Sequence, residues 1–238
     1  MGKDMSEHMN DPMRPATEKH RRLWGRAKGK TLSPYQAGLV KTRLPDVSVD
    51  ILSPLAHLTQ FEKVRLEIGF GGAEHLLHQA RKHPDIGFIG VEPFINGVAK
   101  ALVGIDRQGH DNIYLHAGDV WDFIKNIPDA SLDHIDILYP DPWPKKRHHK
   151  RRLIRTNIIK EFHRILKPNG HVHFASDIPS YVDWALIRVL NHGGFSWKVN
   201  SCSNWLTPFT GWIQTRFEAR ALKQGRTPHY FVFDKKQV

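Results

Sequence analysis

The segment YPDPWPKKRHHKRR, residues 139–152, places one carboxylate, Asp141, between Pro140 and Pro142 and ahead of Trp143. Six of the eight residues from Lys145 to Arg152 are Lys or Arg, and the other two are His148 and His149. Proline fixes φ and an aromatic ring can wall a pocket, so this clamp holds the aspartate in place. A solvated basic face needs no such clamp, and a buried structural aspartate needs no cations. The combination suits an acid at the mouth of a cleft that receives part of a polyanion. Cations there would hold phosphates, while the acid meets the group they deliver.

Four further acids stand where strands should end. Alternating or continuous apolar runs predict strands over residues 64–69, 87–92, 112–119, 134–141 and 171–177, with later ones near 195–200 and over 230–234. Between them, Ala73, Leu76, Leu77 and Ala80 fall on one helical face. Phe94, Val98, Ala101, Leu102 and Ile105 make a second stripe behind Pro93, and Ile158, Ile159, Phe162, Ile165 and Leu166 a third, stopped by KPNG. A further helix follows Pro179 and a short one starts at Thr215. Strands alternating with helices imply an α/β fold with a doubly wound, mostly parallel sheet and helices on both faces. Ligands of such sheets lie beyond the carboxyl ends of the strands. Those ends carry Glu67 with Gly69, then Glu92, Asp119, Asp141 and Asp177.

The turn EIGFGGAEH resembles a dinucleotide fingerprint but has Glu74 where the third glycine belongs. Glu67 beside it would repel a diphosphate. A ligand with a sulfonium and an ammonium group, such as S-adenosyl-L-methionine, would welcome that acid. Gly69 and Gly71 let the backbone approach without a Cβ in the way. Glu92 is placed to accept ribose hydroxyls, and Asp119 to accept from an adenine amino group.

The strings LEIGFGGAEHL, GVEP, YPDPWPKKRHHKRR, LKPNG and TRFE together resemble the bacterial tRNA (guanine-N7)-methyltransferases, across nearly the whole chain. The resemblance implies a class I methyltransferase, Rossmann-like fold. It implies methyl transfer from S-adenosyl-L-methionine to guanine N7 at position 46 in the variable loop of tRNA. It also implies residue roles. Glu67, Glu92, Asp119 and Asp141 match cofactor positions, and Asp141 the active-site acid. Lys145, Asp177, Thr215, Arg216, Phe217 and Glu218 match substrate positions. Arg147, His148, His149, Lys150, Arg151 and Arg152 match an RNA-contacting stretch. Asp177 or Glu218 could accept the paired N1–H and N2–H₂ donors of guanine, which adenine does not offer. Rival readings are a class I methyltransferase for another RNA site and an RNA-binding protein with an inactive fold. A nicotinamide enzyme is a weaker rival because of Glu74.

Composition bounds the rest. The 238 residues carry a formal net charge of +11, which favours a polyanionic partner. No apolar run is long enough to cross a bilayer, and Cys202 alone cannot form an internal disulfide. A cytoplasmic protein, monomer or homodimer, off the membrane, is expected. MGKDMS matches a short acylation pattern, although one chain anchors only marginally. Residues 1–44 read as a basic, partly flexible arm, with seven Lys or Arg between Arg14 and Lys30, and residues 45–238 as the methyltransferase domain. Gly25, Gly29 and Pro34 read as helix breaks. Among 16 histidines, His148–His149 and the same-face pair His171 and His173 each lack a third partner in sequence, so no metal is expected.

Overall fold

The computed structural model describes residues 29–237. The basic stretch and the acylation pattern, as far as residue 28, lie outside them. In chain order the elements are α1 (Pro34–Thr42), α2 (Leu44–Val47), β1 (Lys63–Ile68), α3 (Glu74–Lys82), β2 (Ile86–Val91), α4 (Ile95–Gln108) and β3 (Ile113–His116). Then come α5 (Val120–Ile124), β4 (Leu132–Leu138), α6 (Thr156–Ile165), β5 (Leu166–Ser176), α7 (Pro179–Asn191), β6 (Phe195–Ser196), α8 (Ser203–Leu206), α9 (Arg216–Lys223) and β7 (His229–Lys235). Lys146–Arg151 form a 3-10 turn.

The strands form one seven-stranded sheet in the order β3-β2-β1-β4-β5-β7-β6. The first five are mutually parallel, and β7 runs antiparallel between β5 and β6. The strand order reverses direction between β1 and β4. That is where an open α/β sheet leaves a crevice for ligand. The glycine turn follows β1 and Asp141 follows β4, so the topology alone sets them on either side of it.

Alternation along the strands divides the core. Leu66, Ile89, Ile135, Ile137 and Phe174 meet Phe123, Ile158, Phe162 and Tyr181 on one face. Phe88 and Leu115 meet Leu76, Val98, Leu102 and Ile105 on the other. The stripes expected for α3, α4 and α6 face the core, with Leu77 and Phe94 only half-buried.

Several boundaries move. Pro34 does not break a helix. It is the first residue of α1, where its missing N–H costs nothing, and Ser33 with Gln36 closes a capping box ahead of it. Leu39 of α1 joins the α4 side of the core. Pro93 lies before α4, whose N-cap is Phe94. The strand expected to reach Asp141 ends at Leu138, because Tyr139 turns to φ 53°. The strand expected over 112–119 ends at His116, which leaves Asp119 free to cap α5. KPNG does not stop α6 in a loop but is drawn into the start of β5, where Leu166 pairs with Leu132. The strand near 195–200 is only two residues long.

Candidate active site

The β1–α3 turn bends through three left-handed residues, Gly69 at φ 73°, Gly71 at 56° and Ala73 at 64°. Glycine occupies the two tightest places, and Ala73 accepts strain of the order of 1–3 kcal/mol. Glu92, at the end of β2, pins this turn from beside it. Its Oε2 accepts from Gly71 N at 2.8 Å, and its Oε1 from Phe94 N at 3.0 Å. Burial raises its pKa against the pull of those two donors. Gly97 in α4 completes the contact, since a Cβ there would fall 2.4 Å from the Gly71 carbonyl oxygen. Gly97→Ala is therefore expected to cost about 1–3 kcal/mol of stability and to weaken cofactor binding by displacing the turn. Thermal melting and a cofactor titration check this, and an unchanged pair of values would mean that the turn yields freely.

The start of α9 closes over the same turn. A Cβ on Gly71 would meet the Phe217 ring at 2.9 Å and Arg216 Nη2 at 3.1 Å. Arg216 also reaches Glu74, Nε to Oε1 3.7 Å, and its charge is felt at Glu92 together with that of Asp141. Asp141 keeps an exposed edge, yet the protein around it is enough to raise its carboxyl by desolvation. Glu92, Gly71, Arg216, Phe217 and Asp141 thus gather at one end of the sheet. Two residues flanking the acid, Tyr139 and Trp143, hold positive φ of 53° and 41°. Such backbone persists in non-glycine residues only where the surroundings enforce it.

Asp119 is the N-cap of α5, with Oδ1 accepting from Trp121 N at 2.8 Å and Oδ2 left for another donor. Glu67 is buried and pairs with His75 at 2.9 Å. Burial raises Glu67, partly offset by His75; burial lowers His75, but Glu67 outweighs it and the imidazole is raised. Glu67 therefore meets His75 first, and a ligand ammonium would have to share it.

The two acids expected to read guanine are already engaged. Thr215 caps α9 through Glu218 N at 3.2 Å. The Glu218 carboxylate takes Trp212 Nε1 on Oε2 at 2.7 Å and the Tyr230 hydroxyl on Oε1. Asp177 takes Arg226 on Oδ2 only. Trp212 and Tyr230 join Tyr139 and Phe209 in a small aromatic cluster beside the site. Sequence reasoning missed this wall, because its members come from three separated segments.

The basic run divides. Lys145, Arg147 and Lys150 are exposed, and His148 and His149 half-buried. Arg151 lies over Trp143 at 4.9 Å. Arg152 corrects the expectation of an RNA contact, since its accessible surface is 0 %. It faces inward because Pro142 and Ser180 offer it oxygens.

The histidines need a correction as well. His171 and His173 do have a third neighbour, His134 on the adjacent strand, and the three offer nitrogens within 4.8 Å of one another. Residues distant in sequence become neighbours only through strand pairing. As arranged, Arg65 donates to His134 Nδ1 at 3.0 Å, while its Nε2 lies 2.9 Å from Asp136, off the line of an ideal hydrogen bond. Asp136 also takes His173 Nδ1 at 3.2 Å. Burial pulls His171 down to about 4.

At the entrance, Asn96 of α4 accepts from Gly29 N at 2.8 Å and donates to the Lys30 carbonyl at 2.6 Å. The described end of the arm is thereby fastened next to the Glu92 turn. Among the described residues no helix is long and apolar enough to cross a membrane.

A family profile described as putative methyltransferase matches residues 61–231. The chain is 46% identical over 219 residues to the tRNA (guanine-N(7)-)-methyltransferase of Rhizobium johnstonii, covering 90% of this chain and 94% of that one. It is 47% identical over 217 residues to the protein of the same name from Rhizobium meliloti, covering 89% and 94%. Among solved structures it is similar in fold to the 16S rRNA methyltransferase KamB, with TM-score 0.56, 14% identity and coverage of 76% of this chain and 91% of that one. It is likewise similar to a precorrin-6y C5,15-methyltransferase from Geobacter metallireducens, with TM-score 0.51, 16% identity and coverage of 77% and 85%. At these identities the structural likeness speaks for the fold alone.

Proposed function

Because the chain belongs to the putative methyltransferase family, and within it to the tRNA (guanine-N(7)-)-methyltransferases, we propose that it methylates N7 of guanine at position 46 in the variable loop of tRNA. The observation that carries this reading is the acid, Asp141, held at the strand-order reversal with a cationic turn beginning five residues later.

The residues present fit S-adenosyl-L-methionine. Gly69 leaves open space where a side chain would stand in the cradle, and Glu92 and Asp119 offer carboxylate acceptors at its rim. When bound, the cofactor supplies an electrophilic methyl group on a sulfonium centre. Guanine N7 attacks with a lone pair and releases no proton, so the chain needs no strong general base. The purine gains a positive charge as the sulfur loses one. Asp141, fixed before the reaction, stabilises that new charge at no reorganisation cost. Asp177 accepts the guanine N1–H and N2–H₂ donors, since Glu218 already holds two donors of its own. Glu218 instead sets the aromatic wall. Lys145, Arg147, Lys150 and Arg151 hold backbone phosphates.

The test uses labelled S-adenosyl-L-methionine and two unmodified tRNA transcripts, one with guanine at position 46 and one with adenine. Label recovered as 7-methylguanosine from the first transcript alone is the expected result. Label on both transcripts would move the target elsewhere in RNA. Binding of tRNA and cofactor without label in either would leave an RNA-binding protein with an inactive fold.

A further inference from the structure

Arg152 closes the 3-10 turn with its backbone, donating N–H to the His149 carbonyl at 3.0 Å. Its side chain runs the opposite way. Nε donates to the Pro142 carbonyl at 2.8 Å, Nη1 to the Ser180 carbonyl at 2.9 Å and Nη2 to Ser180 Oγ at 3.2 Å. The guanidinium lies between two rings, 4.9 Å from that of Tyr181 and 5.1 Å from that of Trp184. None of the ion pairs among the described residues includes it. A charge buried without a counter-ion is poor stabilisation, and an apolar side chain of similar volume could serve a core as well. What an apolar side chain cannot do is reach the Pro142 carbonyl and Ser180 at once with a rigid planar donor set.

The Pro142 carbonyl belongs to the residue that follows Asp141 and precedes Trp143. That segment carries the two positive-φ residues Tyr139 and Trp143, and it needs an external hold. The next residues are tied to α7 as well. Leu153 N and Ile154 N donate to the Tyr181 hydroxyl at 3.1 and 3.3 Å, and Trp184 Nε1 donates to the Ile154 carbonyl at 2.6 Å. One residue therefore joins three things: the cationic turn, the acid loop and a helix of the rigid frame.

We propose that Arg152 is a positioning residue, which couples the phosphate-holding turn to the Asp141 loop and makes no contact with RNA itself. This rests on the methyl-transfer reading above. Phosphates that load the turn would pull on the same residue that holds the acid, so RNA engagement and acid placement become one event.

The experiment compares wild type with Arg152→Met, Arg152→Lys and Arg147→Met. For each it measures single-turnover methylation of a tRNA transcript, KM, tRNA affinity across a salt series, and thermal melting. Turnover by wild type is required first and tests the functional reading separately; the salt series needs no turnover at all. Arg152→Met is expected to lose turnover by about 10²-fold, the effect of a small misplacement, with KM for tRNA and the salt slope as in wild type. Arg147→Met should instead flatten the slope by about 0.7–0.9 and weaken tRNA binding. Three results would overturn the proposal: a slope flattened in Arg152→Met as in Arg147→Met, turnover equal to wild type, or a lowered Tm with turnover intact. Should Arg152→Met lose its cooperative melt, Arg152→Lys decides. It keeps the charge but not the fork, so retained turnover there would equally sink the coupling.

Discussion

Asp141→Ala is expected to lower the rate of methyl transfer by about 10²–10³-fold, the range seen when one preorganised electrostatic stabiliser is removed, while tRNA affinity stays near that of wild type. The geometry separates the two quantities. Asp141 lies after β4 at the sheet reversal, whereas the exposed cations follow it on the 3-10 turn. Asp141→Asn preserves the shape and discards the charge. If the charge is what the cationic purine needs, the asparagine variant falls nearly as far as alanine. Single-turnover transfer at saturating cofactor reads the chemical step, and filter binding at fixed salt reads affinity. The acid limb of the wild-type rate has a sign as well. Burial favours the neutral carboxyl, so turnover should fade with falling pH above the range of an ordinary aspartate. A fully active alanine variant would remove Asp141 from the mechanism.

The second large effect belongs to the turn. Replacing Arg147, Lys150 and Arg151 together with glutamine is expected to flatten the plot of log Kd against log salt by about 2–3 units, because each phosphate contact contributes about 0.7–0.9. Turnover at saturating tRNA should survive, since Arg147 and Lys150 are exposed and Arg151 meets the acid loop at the Trp143 ring, whereas Arg152 grips the Pro142 carbonyl. Arg152 is left out of this set because it has no surface with which to meet a phosphate. A salt series on wild type and the triple variant settles the point, and identical slopes would mean that the turn faces solvent in the complex.

Much of this was legible before any coordinates, and the reason is periodicity. Val64, Leu66 and Ile68 alternate into the core, and Leu76 and Ala80 keep helical spacing, so β1 and α3 announce themselves. The glycine turn and the strand-end acids follow from where those elements stop. Elements without a full period were not visible. α5 spans five residues, too few to show a stripe. α1 hid behind Pro34, which carries the same letter whether it caps a helix or breaks one. Partners that arrive from far along the chain were hidden for another reason. Nothing near Glu218 foretells that Tyr230 will take its carboxylate, and nothing near His171 foretells His134. Arg152 was misplaced by its type: six cations in eight residues look alike on paper. Only the carbonyl of Pro142 and the hydroxyl of Ser180, 28 residues ahead, single one of them out.

β7 slots between β5 and β6, and it is made after every other element described here. Its six-residue register with β5 can form only once the ribosome has released that segment. Tyr230 lies on this strand and grips Glu218, so the wall of the site is completed by the last element described. A nascent chain that has made β1 to β5 still lacks Tyr230, so its pocket is unfinished. A chain broken upstream of Tyr230 is therefore expected to lack the wall of the site together with Phe231 and Phe233 of the core.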